Sequence, residues 1–411
     1  MKTILQWLGI FGVAALLISG VARFTGTLEP HWDADRYINM ATQGFINNPD
    51  LCSPFAYRPG MPFLAGSLAH IMDIPVNRGF RLVGLASIMI LLLATAGMAW
   101  SFTGSWLKAL LIMGVIGLSG TYVKFPLFFY SMVDVAAYPL IVLAFFALLK
   151  KRYGLCLLLS CIGLLFKEFL GIPLAVLLVT LLHRFWINKT ARNFGSLILS
   201  SSLGLAVIAI PRLFLAIKEN CQEVDFINKP GTLRLLWESP LDYFRDANIA
   251  YSILFCWLPV LLLMNRKRFK GIWTDIEPYR GLVLLYMVLN LLLAMYGGTN
   301  ILIFVSYSVP LVILALALLL KQDVHPLELL FAFSALIFFN KTLLPFPSPD
   351  ISFDAYIDFY GGWASRAGLP LMWRFLEIFL LIAMSRGLRT ILSVQRECSS
   401  EARDVNSPLR K

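Results

Sequence analysis

The hydrophobic residues of this chain fall into blocks of roughly 15–22 residues with short polar segments between them. A helix needs roughly 20 apolar residues to cross a bilayer. Backbone polar groups in lipid must be bonded internally, so the blocks are predicted to be α-helices. The pattern predicts an all-α polytopic membrane protein with about 12 transmembrane helices, at residues 4–22, 80–100, 106–122, 131–149, 153–166, 169–186, 194–217, 250–264, 281–296, 301–320, 327–340 and 369–385.

The boundary between the fifth and sixth blocks decides the topology. Residues 153–186 could form one long helix, but Gly171 and Pro173 favour a break. Residues 153–166 would extend only about 20 Å as a helix. Lys167 and Glu168 are therefore expected at a turn below the membrane surface.

Composition agrees with a membrane domain, since 58% of the residues are hydrophobic and 14% are charged, against roughly 25% charged in soluble domains. We expect one transmembrane domain, residues 1–385, and a basic cytoplasmic tail, residues 386–411. The first block resembles a signal peptide, but with so many hydrophobic blocks after it we expect it to be retained as a span.

Charge asymmetry predicts the orientation. With the N-terminus in the cytoplasm and alternating spans, 20 of the 35 Lys and Arg residues and 7 of the 24 Asp and Glu residues are cytoplasmic. This follows the positive-inside rule. The net charge of +11 therefore reflects topology, and no nucleic-acid partner is predicted.

This orientation places the unusual polar residues on the outer, non-cytoplasmic side. The first outer loop contains Asp33 and Asp35, and a helix over residues 33–45 would place Asp33 on one face with Tyr37 while Asp35 and Arg36 point away. Two such carboxylates could bind a divalent metal, Mg²⁺ or Mn²⁺, or one could act as a general base. The alternative is that both are solvated loop acids.

Three more ionisable residues fall at or near membrane depth, where charged groups are costly and usually functional. Asp134 opens the fourth block, where it could serve chemistry or simply stabilise a helix N-terminus. Lys167 is a candidate partner for an anionic group. Lys167 and Glu168 could instead neutralise each other within a tight turn.

Two later outer segments supply further pocket candidates. Asn300 closes a Gly-Gly-Thr-Asn turn, whose glycines would allow close backbone approach to a ligand or form an ordinary hairpin. Arg366 lies in the last outer loop with Trp363, a combination that could bind sugar and phosphate or form an interfacial belt.

The first loop resembles the GT-C superfamily of polytopic membrane glycosyltransferases. The resemblance is carried by Trp32-Asp33-Ala34-Asp35-Arg36-Tyr37, then Ala41 and Gly44-Phe45, then Tyr57-Arg58-Pro59 and Pro62. As motif it covers mainly residues 31–62. Many relatives carry an arginine after the late turn, where this chain has Thr299-Asn300-Ile301 and Tyr307.

The resemblance implies transfer of a sugar from a polyprenyl-phosphate donor to a lipid, glycan or protein acceptor on the extracytoplasmic face. Arg58 and Lys167 would bind the donor phosphate, and Asp33, with Asp35 as the second candidate, would be the acceptor's base. The expected partners are the lipid-linked sugar, its acceptor and membrane lipids. The expected location is a bacterial inner membrane with the site facing outward, or alternatively the endoplasmic reticulum.

Two other functional classes remain open. A transporter or flippase would concentrate charges and broken helices at the bilayer midplane and often show an internal repeat. In this sequence the charges cluster at one face and no repeat is visible. A non-catalytic assembly subunit would need none of the outer acidic residues.

The topology is directly testable. A reporter fused after Lys411 should be cytoplasmic, because only this orientation keeps most basic residues inside. A periplasmic or lumenal signal from that fusion would show that the orientation is wrong.

Overall fold

The computed structural model describes residues 2–26, 33–45, 48, 55–188, 191–214, 243–296, 301–347, 359 and 369–405. All regular structure in these residues is helical. The helices are α1 (Lys2–Thr25), α2 (Asp33–Gln43), α3 (Gly60–Met72), α4 (Val76–Thr103), α5 (Trp106–Gly117), α6 (Phe125–Phe128), α7 (Asp134–Leu149), α8 (Tyr153–Leu164), α9 (Gly171–Asn188), α10 (Ala191–Phe214), α11 (Tyr243–Leu263), α12 (Arg266–Asp275), α13 (Arg280–Tyr296), α14 (Ile301–Ser306), α15 (Val309–Lys321), α16 (Pro326–Phe339) and α17 (Leu369–Val405). Shorter helical turns span Phe55–Tyr57, Gly120–Lys124, Glu168–Leu170 and Glu277–Tyr279.

Five helical segments within these residues are long and apolar enough to cross a membrane, or six if one bent pair is counted as a span. Six further apolar helices have 10–17 residues. The all-helical prediction is confirmed, and the apolar helices are consistent with an integral membrane protein. The count of about 12 spans is not reached by helices of full length, because turns interrupt several predicted blocks.

The core and the lipid-facing shell differ in how their apolar residues are distributed. Helix α15 is buried on nearly every side, as expected for a helix that is hydrophobic all round. It packs on α4, α5, α7 and α11. Helix α1 exposes large apolar residues instead, including Ile4, Leu8 and Leu16. Such exposed apolar area suits contact with lipid.

The predicted span 106–122 is wrong as a straight helix. Helix α5 ends at Gly117, and the segment Gly120–Phe128 leaves it at an angle of 67°. The hydroxyl of Thr342 donates to the carbonyl oxygen of Leu118 at 3.2 Å. A carbonyl freed at the helix end is thereby bonded, as a buried helix end requires.

The predicted span 301–320 is also two helices, α14 and α15, and Pro310 is the cause. A continuous helix would bond the N–H of residue 310 to the carbonyl of Ser306, but proline has no N–H. The hydroxyl of Tyr122 donates to that carbonyl instead, at 3.0 Å. The carbonyl of Tyr307 accepts from the hydroxyl of Tyr286 at 2.7 Å.

The predicted break between residues 153–166 and 169–186 is confirmed. Helix α8 ends at Leu164, and the chain turns through residues 165–170 into α9. A Cβ atom on Gly163 would lie 2.2 Å from Leu170 Cγ. A glycine at this position therefore lets Leu170 fold back against α8.

The segment between α1 and α4 contains a helix that the block pattern did not predict, α3. Helix α3 packs between α2 and α4. A Cβ on Gly66 would lie 2.7 Å from the carbonyl oxygen of Ala41, and one on Gly79 would lie 2.3 Å from that of Ala65. Because glycine has no side chain, Gly66 and Gly79 allow α2, α3 and α4 to pack in close contact, and this packing fixes the position of α2.

Substituting Gly79 tests this close packing. We expect Gly79→Ala to lower the free energy of unfolding by about 1–3 kcal/mol, as overpacking does in a buried contact. The control is Gly9→Ala, since a Cβ on Gly9 meets nothing within 4 Å. Equal thermal midpoints for the two variants in detergent would contradict the assigned helix contact.

Candidate functional site

Six polar side chains from separate parts of the chain come together where α2 and α7 begin. We call them the polar cluster: Asp33, Tyr37, Arg58, Asp134, Lys167 and Glu168. They are supplied by α2, by the segment before α3, by the first residue of α7 and by the turn between α8 and α9. The backbone N–H of Gly60 donates to the carbonyl of Leu165 at 2.8 Å, which joins the start of α3 to that turn.

Arg58 and Glu168 form the first ion pair of the cluster. Arg58 Nε donates to Glu168 Oε2 at 2.9 Å and Nη2 donates to Oε1 at 2.6 Å. This two-bond geometry is the strong form of an arginine–carboxylate pair. Arg58 is largely buried, whereas half of the Glu168 side chain is exposed.

Tyr37 accepts a third hydrogen bond from the Arg58 guanidinium. Arg58 Nη1 donates to the hydroxyl oxygen of Tyr37 at 3.2 Å. Burial raises the pKa of Tyr37 above its ordinary value, so the hydroxyl stays protonated. Burial alone would lower the pKa of Arg58, but Tyr37 and Glu168 hold it well above the ordinary value. A guanidinium has five N–H groups, so two have no partner among the described residues.

Lys167 and Asp134 form the second ion pair, and both side chains are buried. Lys167 Nζ lies 3.2 Å from Asp134 Oδ1 and 3.4 Å from Oδ2. The hydroxyl of Tyr307 donates to Asp134 Oδ1 at 2.7 Å. Asp134 therefore has a cation and a hydrogen-bond donor, which a buried carboxylate requires.

The structure contradicts mutual neutralisation of Lys167 and Glu168. Lys167 has an extended backbone, with φ −157° and ψ 138°, and Glu168 begins the following helical turn. The two adjacent side chains pair with different partners, Asp134 and Arg58. The turn therefore carries two separate ion pairs rather than one closed pair.

Asp33 lies beside these pairs and differs from the other acids. It is accessible to solvent on one side, yet the protein around it displaces enough water to raise its pKa above the ordinary value, against the opposing effects of Lys167 and Arg58. Among the described residues it accepts no hydrogen bond and forms no ion pair. Asp33 is thus a solvent-accessible carboxylate one helical turn from Tyr37, whose hydroxyl contacts Arg58.

The predicted helix over residues 33–45 is present as α2 but ends at Gln43, and Tyr37 lies on its buried face. Asp35 is exposed. The prediction that Arg36 points away is wrong, since its guanidinium carbon lies 5.5 Å from the ring centre of Phe55. Arg36 is half-buried against that ring.

The residues around Asp33 do not fit a divalent metal. Successive helical residues are about 100° apart, so Asp33 and Asp35 diverge by roughly 200°. The nearest charged neighbours of Asp33 include the cations Lys167 and Arg58. No group of three His, Cys, Asp or Glu residues suited to a metal occurs within the described ranges.

Two candidates, Asn300 and Arg366, lie outside the described residues. Conversely, the structure adds Tyr307 to the site, together with the buried residues that support it. The hydroxyls of Tyr138 and Ser306 are 2.7 Å apart, and the ring of Phe169 stacks on Tyr307 with centres 4.5 Å apart. These residues could have been identified from the sequence as single polar residues inside hydrophobic blocks. A buried polar group needs a hydrogen-bond partner, so such residues are expected to contact one another.

Comparison with protein-family models and with curated proteins gives no match for this chain. The chemical capacity of the cluster therefore rests on its own geometry. The cluster combines the accessible carboxylate of Asp33 with two cations. Arg58 is oriented by Glu168, and Lys167 is oriented by Asp134. Such a site can bind an anionic group and accept a proton beside it.

The buried pair is testable through stability. Lys167→Met should lower the free energy of unfolding by about 3–5 kcal/mol, because Asp134 keeps a buried charge without a cation. The double variant Lys167→Met with Asp134→Asn should recover much of that loss, since neither residue then carries a charge.

The exposed Lys151→Met variant removes one lysine charge away from the cluster and should be nearly neutral. Chemical denaturation of five proteins in one detergent measures the coupling: the unsubstituted protein, Lys167→Met, Asp134→Asn, their double variant and Lys151→Met. Strictly additive effects of the two substitutions would contradict an ion pair between Lys167 and Asp134.

Proposed function

We propose that this protein is a membrane glycosyltransferase of GT-C type that takes a sugar from a polyprenyl-phosphate donor. The observation that supports the proposal is that Asp33 lies one helical turn from Tyr37 on α2, and the Tyr37 hydroxyl contacts Arg58. A phosphate-linked sugar needs cations for its phosphate and a carboxylate for the attacking hydroxyl. The cluster offers both within one site.

The proposed step uses these groups in defined roles. The acceptor oxygen attacks the anomeric carbon of the sugar and forms the new C–O bond, while its proton passes to the Asp33 carboxylate. The bond between the anomeric carbon and the phosphate oxygen breaks, and its electron pair stays on that oxygen. The polyprenyl phosphate leaves with one additional negative charge.

Arg58 and Lys167 would stabilise that additional charge. Oriented donors aimed at developing charge lower a barrier more effectively than water does, since they need not reorganise. Arg58 is already fixed by Glu168 and Tyr37, and Lys167 is fixed by Asp134. A metal is not part of this proposal, because the groups around Asp33 do not fit one.

The rest of the proposal follows the predicted topology. The active site would face the non-cytoplasmic side, most simply outside a bacterial inner membrane, with the endoplasmic reticulum as the alternative. About 12 membrane crossings would be completed by the shorter apolar helices. The acceptor would be a lipid, a glycan or a protein with a free hydroxyl.

One observation favours a second candidate, a transporter or flippase for an anionic or lipid-linked substrate. The bent pair Trp106–Gly117 and Gly120–Phe128 and the break between α14 and α15 resemble the discontinuous helices of transporters. The two functions differ in outcome, because a transporter moves the sugar lipid intact and a transferase releases polyprenyl phosphate.

The role of Asp33 is testable by isosteric substitution. Asp33→Asn should lower the transfer rate by about 10²–10⁴, the usual cost of losing a general base. Asp35→Asn is the matched control, because it removes the same charge from the opposite side of α2. The measurement is release of polyprenyl phosphate in membranes supplied with a panel of polyprenyl-phosphate sugars.

The pH profile separates a base from a structural acid. Transfer should fail as the pH falls through the pKa of Asp33, since the base is then protonated. That pKa is raised, so the acidic limb should lie above the ordinary range of an aspartate. A fully active Asp33→Asn enzyme would contradict the role, and so would an unchanged acidic limb in any residual activity of that variant.

A further inference from the structure

A second feature lies at the other end of the bundle from the polar cluster. A groove of about 750 Å³ runs between α1, α4, α7 and α8. Helix α7 carries Asp134 at its start and borders the groove from Leu143 to Ala147. At 1.5 Å per residue, Ala147 is about 20 Å along the helix from Asp134, so the groove is separate from the polar cluster.

The wall of the groove is apolar and long enough for part of a lipid chain. Helix α4 borders it from Ile90 to Ser101, about 16 Å of helix. Ala94 and Gly97 present only small side chains on this face, with the Trp7 ring packed close to Gly97. Ile90 and Leu155 are exposed at its margin. Exposed apolar concave surface on a membrane helix faces lipid rather than water.

Two cations lie among the residues that line the groove, Lys150 and Arg152, and none of its lining residues is acidic. Lys150 Nζ lies 5.0 Å from the ring centre of Phe102 and 5.6 Å from that of Phe146. Within the described part of the chain neither cation has a carboxylate partner. Both side chains are exposed and available to an anion.

Aromatic residues place this end of the groove at a membrane interface. Trp7 and Trp100 line the groove, and both contact Trp106, with ring centres 5.3 Å and 4.6 Å away. Tryptophan is enriched at the level of lipid headgroups. The cations are therefore at the depth at which a phospholipid carries its phosphate.

We propose that this groove binds an anionic phospholipid, with an acyl chain along α4 and the headgroup phosphate at Lys150 and Arg152. The charge complementarity selects this occupant. A zwitterionic lipid would bring its own cation to the two basic side chains, and a free phosphate would leave the apolar wall uncovered. The proposal is independent of the glycosyltransferase function.

Native mass spectrometry of the full chain, purified in detergent, tests the proposal. The probes are palmitoyl-oleoyl phosphatidylglycerol and the matching phosphatidylcholine. We expect Lys150→Gln and Arg152→Gln each to weaken phosphatidylglycerol binding about fivefold, the usual effect of one basic residue near an anionic headgroup.

Lys151→Gln is the matched control, since Lys151 is exposed in the same loop but does not line the groove. It should change binding less than twofold. Ala94→Phe fills the groove and keeps every charge, and it should reduce binding of both lipids. Glycerol phosphate, which has no acyl chain, should not displace bound phosphatidylglycerol.

Three results would overturn the proposal. Equal weakening by all three charge substitutions would indicate general surface attraction, and unchanged binding in Ala94→Phe would place the lipid elsewhere. Equal retention of the two lipids by the unsubstituted protein would show that the headgroup charge is not recognised. The Lys150 and Arg152 variants alter exposed side chains, so they remain informative if Ala94→Phe does not fold.

Discussion

The buried ion pair between Lys167 and Asp134 is the interaction on which the rest of the polar cluster depends. It joins the turn after α8 to the first residue of α7, and Tyr307 extends it to the break between α14 and α15. Two charges removed from water are costly unless each is paired and hydrogen-bonded. This pair fixes the turn between α8 and α9 relative to α7, and the fixed turn places Glu168 within hydrogen-bond distance of Arg58.

Close backbone packing brings the segment between α1 and α4 to this turn. Gly60 lies against the ring of Phe166, which a Cβ would approach at 2.8 Å, and its N–H is bonded to Leu165. Gly66 gives α3 the same close approach to α2. Arg58 and Asp33 therefore reach the turn as parts of a packed unit, in which small residues set the distances.

Much of the fold could be predicted from the sequence, because lipid imposes long apolar helices and charges mark the turns. The break at Lys167 followed from Gly171 and Pro173. The short helix α3 was missed, since its 13 residues are too few for a span. The break at Tyr307 was not predicted, because Pro310 lies inside one continuous hydrophobic block, residues 301–320.

The members of the site were partly predictable, but their partners were not. A costly charge at membrane depth identified Lys167, and the helical period placed Tyr37 on the buried face of α2. Nothing local shows that Glu168 pairs with Arg58, which is 110 residues away. The sequence suggested that the adjacent residues Lys167 and Glu168 could pair with each other. The extended backbone of Lys167 instead directs the two side chains to different partners.

The proposed binding of a polyprenyl phosphate at the polar cluster is tested most directly by an experimental structure of the protein in a lipid nanodisc with that lipid bound. We expect phosphate oxygens within about 3 Å of Arg58 or Lys167 nitrogen atoms, the distance of a charge-assisted hydrogen bond, with Asp33 facing the same space. A phosphate bound elsewhere, with the cluster filled only by its own ion pairs, would contradict it.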